Sequence, residues 1–83
     1  MAGTADDIIR LVTQIVTDLV DDADAVVIEA SEEEGALHVD VTVAEEETGK
    51  VIGRKGRIIK AIRTISRAAA SQGDLDVEVE VIG

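Results

Sequence analysis

The spacing of apolar residues predicts where the chain forms helices and strands. Between Ile8 and Leu19 apolar side chains recur every three or four positions, which is the spacing of one face of an α-helix. Thr4 has the residue type of an N-cap, and Asp7 follows it at the capping-box distance. We therefore expect a first helix that ends near Val20, before the acidic stretch DDAD.

Two strands are predicted next. Residues 25–30 form a short, mostly apolar and β-branched run, which favours a strand. The stretch SEEEG, ending at Gly35, is expected to form the turn. From Leu37 to Val43 apolar side chains alternate with polar ones, as in a strand with one buried face. Together these segments predict an antiparallel hairpin.

The second half of the chain predicts two helices and a strand. AEEET, from Ala44, has acids suited to a helix start, and we expect a helix of about two turns before Gly53. A longer helix follows Gly56 and is expected to stop at Gly73. Its predicted apolar stripe consists of Ile58, Ile59, Ile62, Ile65 and Ala69. The alternating LDVEVEV predicts a last strand with one acidic face.

The order of these elements predicts the fold class. Three strands with one apolar face need a layer of helices to cover that face. We expect a two-layer α+β fold, with residues 1–83 forming one domain. The 46% of hydrophobic residues is enough to build a core.

Several residue types are missing, and each absence excludes a class of function. Without cysteine there is neither a disulfide frame nor a thiolate metal site. Without Phe, Trp or Tyr, ligands cannot be recognised by stacking on an aromatic ring. No apolar run approaches the ~18 residues of a membrane span and no signal peptide is evident, so we expect no membrane association and a cytoplasmic location. Since proline is also absent, one hypothesis is that the sequence was simplified by design or reconstruction.

Charge is distributed very unevenly along the chain. The formal net charge is −10, from 18 acidic and 8 basic residues, yet seven of the basic residues lie between Lys50 and Arg67. No acid occurs between Glu47 and Asp74. In the predicted long helix Lys60, Arg63 and Arg67 fall on one side, which we expect to face solvent. Such a one-sign patch attracts polyanions even when the net charge repels them.

Two glycines lie in the middle of this basic segment. Gly53 and Gly56 bracket Arg54 and Lys55 between two predicted helices. Glycine permits sharp turns and close backbone approach, and the amides that begin a helix attract anions. The combination suits a phosphate group. The glycine spacing fits neither the dinucleotide fingerprint GxGxxG nor the P-loop.

The longer run VIGRKGRIIKAI, residues 51–62, resembles the KH-domain signature V-I-G-x-x-G-x-x-I-x-x-I. The predicted element order resembles the bacterial type II KH fold, α-β-β-α-α-β. Gly49-Lys50 before the signature and AIRT after it are similar to the small bacterial single-KH proteins of the KhpA family. This resemblance implies a three-stranded mixed sheet covered by three helices. The strand over residues 37–43 would then be central and parallel to the last strand.

The resemblance also implies a function. KH domains clamp about four single-stranded nucleotides, with the GxxG loop on the backbone. Gly53, Arg54, Lys55 and Gly56 would hold phosphates, and an aliphatic groove supported by the strand at residues 37–43 would receive the bases. The full set of expected RNA-binding residues is Lys50, Val51, Ile52, Gly53, Arg54, Lys55, Gly56, Arg57, Ile59, Lys60, Ile62 and Arg63.

The resemblance further implies a partner or self-association. A homodimer, or pairing with a larger KH-containing protein, would accompany a role in RNA chaperoning or post-transcriptional control. Single-stranded DNA is a possible second ligand. The alternative is a simplified or designed KH-like scaffold that folds and self-associates but binds little nucleic acid.

For the remaining residues that could have a function, the sequence favours a structural role. We expect Ile58, Ile62 and Ile65 to belong to the core, and His38 to be an exposed strand residue. The acidic runs lack the EF-hand spacing with its closing glutamate, so no metal site is expected. The sequence has no recognisable constellation of nucleophile, base or metal ligand, so we expect no cofactor and no enzyme activity.

Overall fold

The computed structural model describes residues 4–70 and 75–82. The α-helices are α1 (Ala5–Leu19), α2 (Thr48–Ile52) and α3 (Arg57–Ala70). The strands are β1 (Val27–Glu33), β2 (Ala36–Thr42) and β3 (Asp76–Ile82). Short 3₁₀ turns occupy Ala23–Ala25, Glu45–Glu47 and Arg54–Gly56. Within the described ranges no helix has the length and apolarity needed to cross a membrane.

The three strands form one mixed sheet in the order β1-β2-β3. The central strand β2 is antiparallel to β1 and parallel to β3, so that Val39 lies between Ala30 and Val79. This confirms the α+β class and the mixed sheet that the resemblance to type II KH domains implies. Alternate residues of β2 are buried, starting with Leu37, because the helices cover one face of the sheet.

The core between the helices and the sheet is aliphatic apart from the buried Ser66. It brings together buried side chains from every helix and from the two strands β2 and β3: Ile8, Val12, Val16, Leu37, Val39, Val41, Val51, Ile59, Ile62, Ala70, Val77 and Val79. Full burial of each larger side chain contributes about 1.5–3 kcal/mol, so this layer is the main source of stability.

The first helix forms as predicted. Thr4 is its N-cap, and its Oγ1 accepts a hydrogen bond from the Asp7 amide at an N···O distance of 3.2 Å. The helix ends at Leu19, and the buried positions Ile8, Val12 and Val16 repeat at helical spacing.

The first strand differs from its prediction at both ends. It begins at Val27, two residues later than expected, and residues 31–33, assigned to the turn, continue it. The turn consists of only Glu34 and Gly35, with φ of 51° and 80°. Positive φ at both central residues of a two-residue turn matches the twist of a hairpin, so the strands can pair up to Glu33 and Ala36.

The buried face of α3 is also shifted from its prediction. Ile65, expected in the core, is 47% exposed, whereas Ser66 is fully buried. The buried positions are Ile59, Ile62, Ser66 and Ala70, while Ile58 is half-buried. The helix is therefore turned about its axis relative to the predicted face, an orientation that hydrophobicity alone does not reveal. The expected stop at Gly73 lies outside the described residues.

Candidate nucleic-acid interface

The loop between α2 and α3 has an unusual backbone. Gly53 has φ 78° and ψ 170°, Lys55 has φ 58°, and Gly56 has φ 73°. The Gly53 amide donates to the carbonyl of Gly49 at 2.8 Å, and the Gly56 amide donates to the carbonyl of Gly53 at 3.1 Å. The two glycine amides are therefore engaged by the protein's own backbone and are not free to bind an anion.

Gly53 is required by sterics as well as by its φ. A Cβ at this position would lie 2.6 Å from Cγ1 and 2.9 Å from the backbone nitrogen of Ile58. At Gly56 the nearest atom to an added Cβ is Cγ2 of Ile59, at an ordinary 3.8 Å, so that only the backbone conformation favours glycine. The loop therefore packs directly on the first turn of α3.

Four basic side chains surround this loop and project into solvent. We call them the loop cations: Arg54, Lys55, Arg57 and Lys60. Among the described residues no ion pair or side-chain hydrogen bond engages any of them. The first turn of α3 contains no acid. Cations at the positive end of a helix dipole are unfavourable, and a bound anion would relieve that repulsion.

Lys50 differs from the loop cations because its charge is already paired. Its Nζ lies 2.9 Å from Oδ2 of Asp21 and 3.1 Å from Oε2 of Glu47. The hydrogen bonds to Asp21 and then to Glu47 raise the pKa of Lys50 above its ordinary 10.5. Of the basic residues expected to bind RNA, Lys50 is thus the one that the protein's own acids hold.

Glu47 is a structural residue that the sequence did not distinguish from its neighbours. It is 5% exposed, and its Oε2 and Oε1 accept the amides of Asp21 and Asp22 at 2.6 and 2.8 Å. These two backbone hydrogen bonds hold the pKa of Glu47 below its ordinary 4.5. Because Glu45 and Glu46 have the same chemistry and are exposed, only the tertiary structure identifies the buried acid.

Two arginines of α3 face the sheet edge, although we expected them on the solvent face. Arg63 Nε donates to the carbonyl of Val79 at 3.0 Å, and Arg67 Nε donates to that of Val77 at 3.3 Å. The reason is that β3 is an edge strand, so these carbonyls have no neighbouring strand to accept from. The basic segment is therefore divided between free loop cations and arginines bound to β3.

Most of the aliphatic residues expected in the groove lie beneath the surface. Val51, Ile59 and Ile62 are 0–6% exposed, while Ile52, beside Gly53, is 36% exposed. Leu37, Val39 and Val41 of β2 are also buried, because the helices cover this face of the sheet. These residues can hold the loop in place from below, and Ile52 is the apolar side chain next to the loop that a ligand can reach.

A row of acidic residues crosses the sheet on the side away from the helices. Glu29, Asp40 and Glu80 are cross-strand neighbours on the face that the helices leave uncovered. On the same face His38 Nδ1 lies 3.0 Å from Oε2 of Glu78, with both side chains half-exposed, in agreement with its predicted position away from the core. This face of the sheet therefore carries a cluster of acids separate from the loop cations.

Comparison with known proteins gives consistent matches over most of the chain. The family model described as "KhpA/KhpB, KH domain" matches residues 9–81. The chain is 42% identical over 73 residues to "RNA-binding protein KhpA" of Listeria monocytogenes serovar 1/2a, covering 88% of this chain and 96% of that protein. It is 43% identical over 73 residues to the protein of that name from Caldanaerobacter subterraneus, covering 88% and 97%. The matched segment includes both loop glycines and all loop cations.

Proposed function

Because the chain belongs to the KhpA/KhpB KH-domain family, we propose that it binds single-stranded RNA through the loop Gly53–Gly56 and the loop cations. The observation that carries this proposal is the group of four cations at the positive end of α3, which pair with no acid among residues 4–70 and 75–82. An RNA backbone supplies the phosphates that such a group lacks.

The geometry supports a division of roles within the site. Arg54 and Lys55 contact phosphates from the loop, and Arg57 and Lys60 extend the contact along α3. The two positive-φ glycines let the loop turn tightly against the first turn of α3, so that Arg54 and Lys55 are presented from its exposed side. Lys50 and Arg63 contribute less than the loop cations, since Lys50 is paired with Asp21 and Glu47 and the Nε of Arg63 is held by Val79.

The bases of the bound strand are accommodated by aliphatic contact. Ile52 touches them directly, while Val51, Ile59 and Ile62 support the surface from within the core. Without aromatic rings or a dense set of base-specific donors, sequence preference is weak. The ligand is single-stranded because the bases must be unpaired to reach Ile52, and single-stranded DNA binds by the same phosphate contacts.

The cellular role proposed is that of a cytoplasmic RNA chaperone or post-transcriptional regulator without enzyme activity. A single domain that contacts few nucleotides binds loosely, so a second domain increases avidity. Ile65, 47% exposed on α3, and the exposed Ala61 one turn before it form an apolar surface suited to a second copy or to another KH-containing protein. Sedimentation of Ile65→Glu tests this, since a persistent dimer would exclude this surface.

The decisive experiment is a titration of a short, unstructured, fluorescent RNA with matched variants. Arg54→Asp combined with Lys55→Asp is expected to abolish binding, and Arg54→Asp alone to weaken it. Arg10→Asp changes the net charge by the same amount as Arg54→Asp but lies on α1, and it should bind nearly as well as the wild type.

The circular dichroism spectrum and the melting temperature of all these variants should stay close to those of the wild type, since the altered side chains are exposed. RNA affinity that survives the double change would exclude the loop as the site. No binding by the wild type even at low salt would favour the alternative of a scaffold without nucleic-acid function.

A further inference from the structure

Among the acids that the structure describes, Glu47 is the buried one, and it joins two distant parts of the chain. Its two oxygens accept the amides of Asp21 and Asp22, in the segment that follows α1. These partners precede it by 26 and 25 residues. A carboxylate that accepts two backbone amides in one plane fixes both position and orientation, because each hydrogen bond is charge-assisted.

Helix α2, which follows Glu47, is too short to be stable without tertiary contacts. Helix α2 has five residues, far fewer than an isolated helix needs to be stable in water. Its direction therefore depends on tertiary contacts: the burial of Val51, the Glu47 carboxylate at its start, and the hydrogen bond from Lys50 back to Glu47. Gly53 comes directly after its last residue, Ile52.

We propose that Glu47 is a positioning residue for the RNA-binding loop: by clamping the 21–22 backbone it sets the direction of α2 and hence the place of Gly53–Gly56. The proposal deepens the proposed function and rests on it. Glu47 does not touch RNA; it acts through α2 on the residues that do.

The positioning role of Glu47 can be distinguished from the effect of its charge, because the two change RNA affinity in opposite directions. A carboxylate near the loop cations repels phosphate, so removing one should strengthen RNA binding. Glu46 lies one residue earlier, is exposed, and has the same charge. Glu46→Gln and Glu47→Gln therefore have the same effect on net charge but should change RNA affinity in opposite directions.

The test compares these two variants with the wild type in the RNA titration. Glu46→Gln is expected to bind as tightly as the wild type or slightly more tightly. Glu47→Gln is expected to bind about tenfold more weakly, since a lost charge-assisted hydrogen bond is of that order. Val12→Ala, a core change in α1 that also lowers stability, should keep wild-type affinity well below its melting temperature.

A second measurement is independent of RNA. In ¹⁵N-resolved spectra of the free protein, Glu47→Gln should shift the amide resonances of Gly53 and Gly56, and Glu46→Gln should leave them in place. If the wild type binds no RNA, the proposed function fails, while these resonances still decide whether Glu47 positions the loop.

Provided that the wild type binds RNA, the inference is overturned if Glu47→Gln binds RNA as well as Glu46→Gln. It is overturned in any case if the Gly53 and Gly56 resonances of Glu47→Gln stay in place. It is also overturned if Val12→Ala loses as much affinity as Glu47→Gln while both are folded. Should Glu47→Gln not fold, Glu47→Asp takes its place, because it keeps the charge but is one methylene too short to hold both amides, and the same weakening is expected.

Discussion

Arg63 on α3 donates its Nε to the backbone carbonyl of Val79, at 3.0 Å, and thereby ties the helix to the outer edge of the sheet. Arg67 repeats the contact one turn later with Val77. An edge strand with open carbonyls invites pairing with another chain, and two guanidinium groups over β3 discourage it. These arginines serve the fold more than the cationic surface.

This relationship predicts opposite rankings for stability and for RNA binding. Arg63→Ala should lower the free energy of unfolding by about 1 kcal/mol, because a half-buried hydrogen bond is lost. Lys60→Ala removes an exposed side chain and should cost much less. In RNA titrations the order should reverse, and Lys60→Ala should lose more RNA affinity than Arg63→Ala. Urea denaturation measures the stabilities. If the same variant were the more damaging one in both assays, the assignment of Arg63 to the fold and of Lys60 to RNA binding would be wrong.

The two glycines before and inside the loop should respond differently to alanine. Gly53→Ala places a Cβ against Ile58 in a backbone region reserved for glycine, and should destabilise the protein by about 3 kcal/mol. Gly49→Ala lies in α2 with open space around its Cβ, and should be neutral or stabilise by about 0.5–1 kcal/mol. Chemical denaturation measures both. Equal stability of the two variants would rule out this loop geometry.

Acid should weaken the Glu47 clamp. Since its pKa in the folded protein lies below the ordinary 4.5, its contribution to stability is complete above pH 4.5 and is lost as pH falls through the folded pKa. The melting temperature of the wild type should therefore exceed that of Glu47→Gln at pH 6–7, and this difference should shrink toward pH 3. If the difference in melting temperature stays constant or grows as the pH falls, the charge of the Glu47 carboxylate is not what stabilises its contact with the backbone of Asp21 and Asp22.

Repulsion on the uncovered face of the sheet should limit stability. Asp40 is the cross-strand neighbour of both Glu29 and Glu80. Asp40→Lys turns two repulsive pairs into attractive ones, and should raise the free energy of unfolding by about 0.5–1 kcal/mol. Glu32→Lys makes the same charge change opposite Leu37, without an acid directly across, and should have a smaller effect. Added salt should reduce the gain, and a gain of equal size in both variants would point to net charge instead.

RNA binding should depend on salt in proportion to the number of loop cations. With three or four phosphates neutralised, the logarithm of affinity should fall against the logarithm of salt concentration with a slope of about −2 to −3. Lys60→Ala should reduce the magnitude of this slope, whereas Ile52→Ala should weaken binding without changing it. Anisotropy titrations across a salt series decide this. A flat salt response would argue against phosphate contacts at the loop.

Local patterns were sufficient for most of the architecture. The alternation in β2 and β3 identified their buried faces, and Thr4 identified the start of α1, because these properties depend on residues a few positions apart. The pair Gly53 and Gly56, with the cations between and after them, likewise identified the loop, since a sharp turn and a concentration of like charge are visible in the sequence itself.

The tertiary structure decided which of several chemically similar residues is buried, which is paired and which remains exposed. Among three adjacent glutamates only Glu47 is buried, because the amides that it accepts belong to a segment 25 and 26 residues earlier. Lys50 is neutralised by Asp21 in that same segment, and Arg63 is drawn to β3, whose edge exists only once the sheet has formed. Periodicity predicted Ile65 in the core, but α3 is turned so that Ser66 is buried instead. Composition and spacing determine where the chain turns and which face is apolar; partners distant in sequence determine which charges remain free to meet a ligand.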